Sequence, residues 1–241
     1  MNDGHPVRVQ FGPFAADLHR DGSTAFQLIT AVGFAGTPRW SPDGQAIAFD
    51  ARTRSGYVVY AVNLQGGAQR ALTDDDSYNA CPGWSSDGKW VYFASRRTGE
   101  YQVWKVPGQG GKAVQVTTHG GHAPLASLDG KFIYYAKNEY TNPEIWQVPL
   151  EGGVERIVSP LLRPASWASW VVVNEEIIFA GASGNSNPAV SFFDLATHRV
   201  TKLGLLDTVP FWLAATRDGK TVAFDQPGWE QTQIMLADKF R

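Results

Sequence analysis

One cysteine is too few for an intramolecular disulfide, so Cys81 reads as a small apolar residue expected in the core. No stretch approaches the roughly 18 consecutive apolar residues of a membrane-spanning helix, and no membrane partner is expected. The start, Met1-Asn2-Asp3-Gly4-His5, lacks a basic segment followed by an apolar one, so no signal peptide is read there. The expectation is a cytoplasmic chain, or a periplasmic one if it is a fragment of a longer protein. Net charge is also small: 21 basic and 23 acidic residues leave −2, mixed along the chain. Without a basic stripe to neutralise phosphates, no nucleic acid is expected to bind the chain itself.

What the chain has in quantity is turn and strand chemistry. Of its 241 residues, 43% are apolar and 12% aromatic, with 25 Gly and 14 Pro, which suits many short strands broken by tight turns. Pro38-Arg39-Trp40-Ser41-Pro42-Asp43-Gly44 followed by Gln45-Ala46-Ile47-Ala48-Phe49 reads as strand, Asp-Gly turn, strand. The pattern returns at Pro82–Phe93, more weakly at Pro124–Tyr135, and again at Ala215–Phe224. The Asp-Gly turns begin at 43, 87, 129 and 218, so the steps are 44, 42 and then 89, about two periods.

Each period has four strand candidates, and the boundaries are expected at about 31–73, 74–117, 118–159, 160–203 and 204–241, after a partial repeat over 7–30. The fourth repeat has Val173-Asn174-Glu175 where the others have Asp-Gly. Four short strands per 42–45 residues, repeated, is the pattern of a β-propeller blade. The fold class expected is therefore all-β, a single propeller domain over 1–241 built of four-stranded antiparallel blades. Five repeats are recognisable and the partial one, 7–30, makes six blade positions, with the strand 26–30, or the segment 7–18 with it, expected beside the C-terminal blade. Two aromatic columns support this: Phe49, Phe93, Tyr135, Phe179 and Phe224 in one, and Tyr60, Trp104, Trp146, Phe193 and Met235 in the other. Both are read as core.

The sequence P-x-W-S-P-D-G-K, a strand ending in an aromatic, then I/V-W/Y-x-V, a Gly-Gly turn and a strand ending Leu-Thr resembles the TolB-type WD-like propeller repeat. The resemblance covers nearly the whole chain and is strongest in the first two full repeats. It implies a binding scaffold, found alone, ahead of serine-peptidase domains, or behind winged-helix DNA-binding domains in bacterial regulators. Trp167–Val173 and Ile234–Arg241 resemble the regulator group most.

A peptidase elbow, G-x-S-x-G, is missed by both Gly83-Trp84-Ser85-Ser86-Asp87 and Gly181-Ala182-Ser183-Gly184-Asn185. Ser41 and Ser85 recur at equivalent turns and are read as architecture. His119-Gly120-Gly121-His122 supplies two potential ligands where a zinc site needs more, and Asp74-Asp75-Asp76 lacks the spacing of a calcium loop. No catalytic set, metal or cofactor is expected.

The functional expectation is a non-enzymatic scaffold for a protein or peptide partner, or a ligand sensor, such as the propeller part of a transcriptional regulator. The alternative is a propeller hydrolase or lyase, or the propeller of a serine peptidase, with a site converging at the central channel. Binding is expected on the variable loops, since a rigid repeat presents its specificity there. The residues chosen are Tyr78, Asp75, Arg97, His119, His122, Arg163 and Trp167.

Overall fold

A computed structural model describes residues 16–18, 25–27, 34–64, 68–74, 77–137, 141–181, 187–216, 218–227 and 232–238. All regular structure among them is β-strand. Strands β1 (Ala16–Leu18) and β2 (Ala25–Gln27) pair antiparallel where the partial repeat is expected. The rest of that repeat, and its expected packing beside the C-terminal blade, lie outside the described residues.

The first sheet holds β3 (Ala35–Trp40), β4 (Ala46–Arg52), β5 (Tyr57–Asn63) and β6 (Arg70–Ala71) in chain order. The second holds β7 (Asn79–Trp84), β8 (Trp90–Thr98), β9 (Glu100–Pro107) and β10 (Val114–Gln115). The third is β11 (His122–Ala126), β12 (Phe132–Lys137), β13 (Glu144–Pro149) and β14 (Arg156–Ile157). The fourth is β15 (Trp170–Val173), β16 (Glu176–Gly181), β17 (Ala189–Asp194) and β18 (Val200–Leu205). The last has three strands, β19 (Leu213–Ala215), β20 (Thr221–Pro227) and β21 (Thr232–Asp238). Two compact units divide the chain, Met1–Pro124 and Leu125–Arg241.

The repeated Ser/Thr-x-Asp-Gly turn is closed by its own side chains. In the second sheet the Ser85 hydroxyl donates to Asp87 Oδ1 at 2.7 Å and accepts the Trp90 amide at 2.9 Å, while Asp87 Oδ1 accepts the Lys89 amide at 3.1 Å. Ser41–Asp43, Ser127–Asp129 and Thr216–Asp218 repeat the hydroxyl-to-carboxylate bond at 2.5, 2.7 and 2.7 Å. The following Gly44, Gly88, Gly130 and Gly219 all take φ near 70°, a left-handed conformation that a Cβ disfavours. In the fourth sheet Asn174, at φ 52°, takes the glycine's place. Asn is the non-glycine residue that best tolerates this region, which is why the hairpin survives the loss of Asp-Gly.

Sheets bury their faces against one another within each unit. In the first unit Ala48, Val59, Ala61 and Leu72 meet Val91, Phe93 and Val106 of the second sheet. In the second unit Ile145 and Val158 pack with Trp170, Ile177 and Phe179, and Val173 and Ile178 pack with Leu213 and Val222. The first aromatic column is core at Phe49, Phe93, Tyr135 and Phe179. The second needs two corrections. Tyr60, Trp104 and Trp146 stand opposite Phe49, Phe93 and Tyr135 but are only half-buried. In the fourth sheet Ser191, not Phe193, faces Phe179, while Phe193 pairs with Ile177. The longer loop before β17 moves the register there.

A second periodic feature was not read from the sequence. Thr37, Cys81 and Ala123 have φ of 45°, 53° and 49°, each is followed by proline, and their spacing matches that of the Asp-Gly turns. At the first two, the pairing with the neighbouring strand shifts, between Gly36 and Arg39 and between Ala80 and Gly83. The first two are β-bulges in the first strands of successive repeats. Cys81 therefore sits on a bulge and is only partly buried, rather than being a core hydrophobe.

Candidate functional site

The register fixes which loops share an end of each sheet. Ala35 pairs with Ala51 and Arg52 with Tyr57, so the loop leading into a first strand and the second-to-third-strand loop lie at one end. The Asp-Gly turns and the third-to-fourth-strand turns lie at the other.

In the first unit the variable-loop end is organised around Asn79, which is fully buried. Its Nδ2 donates to the carbonyls of Asp74 (2.9 Å), Tyr57 (3.1 Å) and Ser77 (3.3 Å), which fixes the loop before β7. Its Oδ1 accepts the Ser95 hydroxyl at 2.8 Å and Arg97 Nη2 at 3.1 Å. The Arg97 guanidinium also donates from Nε to Ser95 at 3.1 Å, lies 4.7 Å over the Trp104 ring and stands 3.8 Å from Asp74. It thus caps the half-buried face of Trp104 and braces the loop from below.

Tyr78 lies at the surface, 45% exposed, with its ring 5.2 Å from that of Tyr57. The Arg96 amide donates to its carbonyl at 3.1 Å, and the exposed Arg96 guanidinium lies 5.0 Å over Tyr101. Tyr101 in turn stands 6.5 Å from the ring of His122. Burial lowers His122 to about 4, so it is neutral near pH 7. His119 is exposed and paired at Nδ1 with the Thr118 hydroxyl at 3.1 Å. Gln102 Oε1 holds that loop by accepting the Gly120 amide at 2.9 Å and the Thr117 hydroxyl at 3.0 Å. Asp75 lies outside the described residues.

In the second unit Trp167 joins Phe211 and Trp212 in an edge-to-face cluster, with centroids 5.8 and 5.0 Å from its own. Ser166 ties the two loops together through its hydroxyl to the Phe211 carbonyl at 2.7 Å. Phe211 is 44% exposed. Arg163 is exposed, with Nε donating to the Pro160 carbonyl at 2.8 Å. Its backbone is pressed against Gly181, where a Cβ would come 2.3 Å from the Arg163 oxygen.

Other ionisable groups are engaged. Glu155 accepts the Tyr135 hydroxyl at 2.9 Å and lies 3.8 Å from Lys137 Nζ, which sits 4.0 Å over Trp146. Burial, then the Glu155 hydrogen bond, pushes the Tyr135 hydroxyl up, so the set reads as a bracing network rather than a poised base. Among the described residues, no group of three or more His, Cys, Asp or Glu is placed to hold a metal ion.

The structure thus brings Tyr78 and Arg97 together in one loop cluster and places Arg163 and Trp167 on another. Tyr57, Tyr101, Phe211 and Trp212 were not singled out from the sequence. Tyr57 and Tyr101 flank the second-to-third-strand loops, and that position was their available signal. The turn and loop geometry is that of propeller repeats, and the TolB beta propeller domain matches residues 23–192. The chain belongs to that family. Its fold is similar to TolB from Acinetobacter baumannii, at 17% identity and TM-score 0.81, over 96% of this chain and 60% of that one. It therefore spans 60% of that protein's length. It is also similar to a Mycobacterium tuberculosis puromycin-hydrolyzing peptidase, at 17% identity and TM-score 0.61, over 86% of this chain and 36% of that one. A chain of the nidogen/laminin complex is similar at 13% identity and TM-score 0.73, over 97% of this TolB-family chain and 88% of that one. No curated protein matches the chain.

Proposed function

We propose that this TolB-family chain is a non-catalytic scaffold that binds a protein or peptide partner through the loop-bearing ends of its sheets. The contrast between the two ends of those sheets carries the proposal. At the turn end, hydroxyls and carboxylates are consumed by the turns themselves, and the lysines pair back onto them: Lys89–Asp87 at 3.3 Å, Lys131–Asp129 at 3.0 Å and Lys220–Asp218 at 3.7 Å. At the loop end, Asn79, Gln102 and Ser166 hold dissimilar loops from beneath while Tyr78, Arg96, His119, Arg163 and Phe211 stay exposed. Loops ordered in advance lose less entropy on binding, and Tyr and Arg are enriched at binding hot spots. Service as the sensing part of a larger bacterial regulator belongs to the same proposal.

The likeness to the nidogen/laminin complex chain supports protein binding, whereas the likeness to the peptidase supports the rival reading of a hydrolase propeller. The test captures the partner from its native lysate with the intact chain, identifies it by mass spectrometry, and repeats the binding with the purified pair. One variant carries Tyr78→Ala, Arg96→Ala and Phe211→Ala; the other carries Lys89→Ala, Lys131→Ala and Lys220→Ala. Loss of binding in the first alone is expected, and loss in the second alone would place the partner at the turn end. Turnover of peptide, ester or glycoside substrates that survives purification and vanishes in a polar-cluster variant would replace the scaffold with an enzyme.

A further inference from the structure

Arg199-Val200-Thr201-Lys202-Leu203-Gly204-Leu205 contains no proline to cut a strand short. From Val200 it forms β18, six residues at the edge of the fourth sheet, paired among the described residues with β17 alone. The outermost strands of the first three sheets, β6, β10 and β14, have two residues each. A very short edge strand guards a sheet against pairing with a further chain, and β18 lacks that guard.

The bonds that bracket β18 show which way its backbone points. The Asp194 amide donates to the Arg199 carbonyl at 2.9 Å, and the Leu206 amide to the Pro188 carbonyl at 2.8 Å. Antiparallel ladders alternate, and the register shift opposite Val190 and Ser191 absorbs Leu203. The N–H and C=O groups of Val200, Lys202 and Leu205 therefore face away from β17. These residues stand opposite Phe193, Ser191 and Ala189, so their side chains share one face of the sheet. All three are exposed, Val200 by 42% and Leu205 by 63%.

We infer that β18 is the docking edge for an extended peptide segment that adds a fifth strand to this sheet, with an acidic residue facing Lys202 and apolar residues facing Val200 and Leu205. Main-chain bonds supply affinity in this mode, and alternate side chains supply selectivity. Arg199 and Lys202 are exposed and form no ion pair among the described residues. The acids of the same sheet lie toward the strand's ends. Asp194, whose carboxylate accepts the Ala196 and Thr197 amides, pairs in register with Glu176 at the hairpin end, and Asp207 follows Leu205. The third sheet packs against this face through Phe193, and its outer strand carries the exposed Arg156, while Glu155 there is held by Tyr135 and Lys137. The middle of the edge is thus positive, which selects an acidic segment. A second copy fits less well, because antiparallel pairing through this edge brings two Lys202 side chains together near its centre. The surface is a sheet edge, so the inference does not depend on the loop-end partner.

The test titrates the intact, isotope-labelled chain with a short synthetic peptide of alternating valine and threonine that has glutamate at its centre. NMR follows the amides of Val200, Lys202 and Leu205, and sedimentation follows self-association. Saturating shifts at these amides are expected, with at least about tenfold weaker binding of the fully N-methylated peptide. Val200→Pro removes one outward N–H and leaves the bonds to β17 in place, and it should weaken binding to a similar degree. Lys202→Glu, which also serves should the proline variant fail to fold, is expected to cost about threefold and to reverse the preference toward a lysine-centred peptide. Shifts that never saturate, shifts confined to the loop ends, binding undiminished by N-methylation, or a folded Lys202→Glu chain with unchanged preference would each overturn the assignment. A dimer that dissociates in Val200→Pro would overturn it in favour of a second copy.

Discussion

Arg97 donates from Nη2 to Asn79 Oδ1 at 3.1 Å, so a residue chosen as a binding contact is also part of the brace beneath the loop. The two contribute unequally. Asn79 is fully buried and its amide serves three loop carbonyls, so Asn79→Ala leaves buried acceptors unmatched and is expected to destabilise the fold by about 2–4 kcal/mol. Arg97 lies nearer the surface, over Trp104, and its removal is expected to cost about 1 kcal/mol. Urea denaturation of both variants decides the matter. Equal losses would mean that the loop hangs on the arginine.

His122 makes the fold sensitive to mild acid. Burial holds it at about 4, against an ordinary value of 6.5. Between those values the unfolded chain takes up a proton that the folded chain refuses, so stability present above pH 6.5 falls toward pH 4 and levels off below. The loss is about 3 kcal/mol across that window. Chemical denaturation at a series of pH values should show this slope in the wild type and a flatter one in His122→Gln. An unchanged slope in the variant would assign it to other groups.

The repeat was legible because its period is written in turn chemistry and aromatic spacing, each of which depends on local geometry. Asp43, Asp87 and Asp129 mark hairpins whose hydrogen bonds lie within a few residues, and the four-stranded sheets follow from them. Phe193 was misplaced because an insertion between β16 and β17 changes the register without disturbing the alternation. The positive φ at Thr37, Cys81 and Ala123 is not legible in the sequence because a residue before proline is ordinarily extended. Nothing in the sequence around Asp50 marks it, and only its bond to the Cys81 amide, 31 residues later, shows what it supports. The site residues were chosen by loop and residue type, which identifies exposed groups such as Tyr78 but not the buried Asn79 that positions them.

Gly181 has no room for a side chain. A Cβ there would lie 2.3 Å from the Arg163 oxygen and 3.6 Å from the Ala165 nitrogen, both backbone atoms that cannot swing aside. Gly181→Ala is expected to displace the loop before Trp167 and to cost about 1–3 kcal/mol. Thermal melting gives the stability change, and tryptophan fluorescence reports whether the Trp167–Trp212 contact, 5.0 Å between centroids, is disturbed. A variant with wild-type melting and emission would show that the loop yields freely.

Ser127 is expected to set the acid response of its own turn. Its hydroxyl bond is the foremost cause of Asp129 lying at about 2 rather than the ordinary 3.8, followed by the Lys131 amide. A carboxyl held low in the fold contributes stability above its ordinary value and loses that contribution as pH falls from about 3.8 to about 2. In Ser127→Ala the carboxylate keeps the Lys131 amide but loses the hydroxyl, so its pKa should rise and the acid-side slope should shrink. The Phe132 amide, which donates to Ser127 Oγ at 2.9 Å, loses that acceptor, and the variant should be destabilised by about 1–3 kcal/mol at neutral pH as well. Carbonyl-detected NMR titration of Asp129 in the two proteins separates the effects: the serine's role in the pKa fails if the midpoint stays put, even when the melting temperature drops.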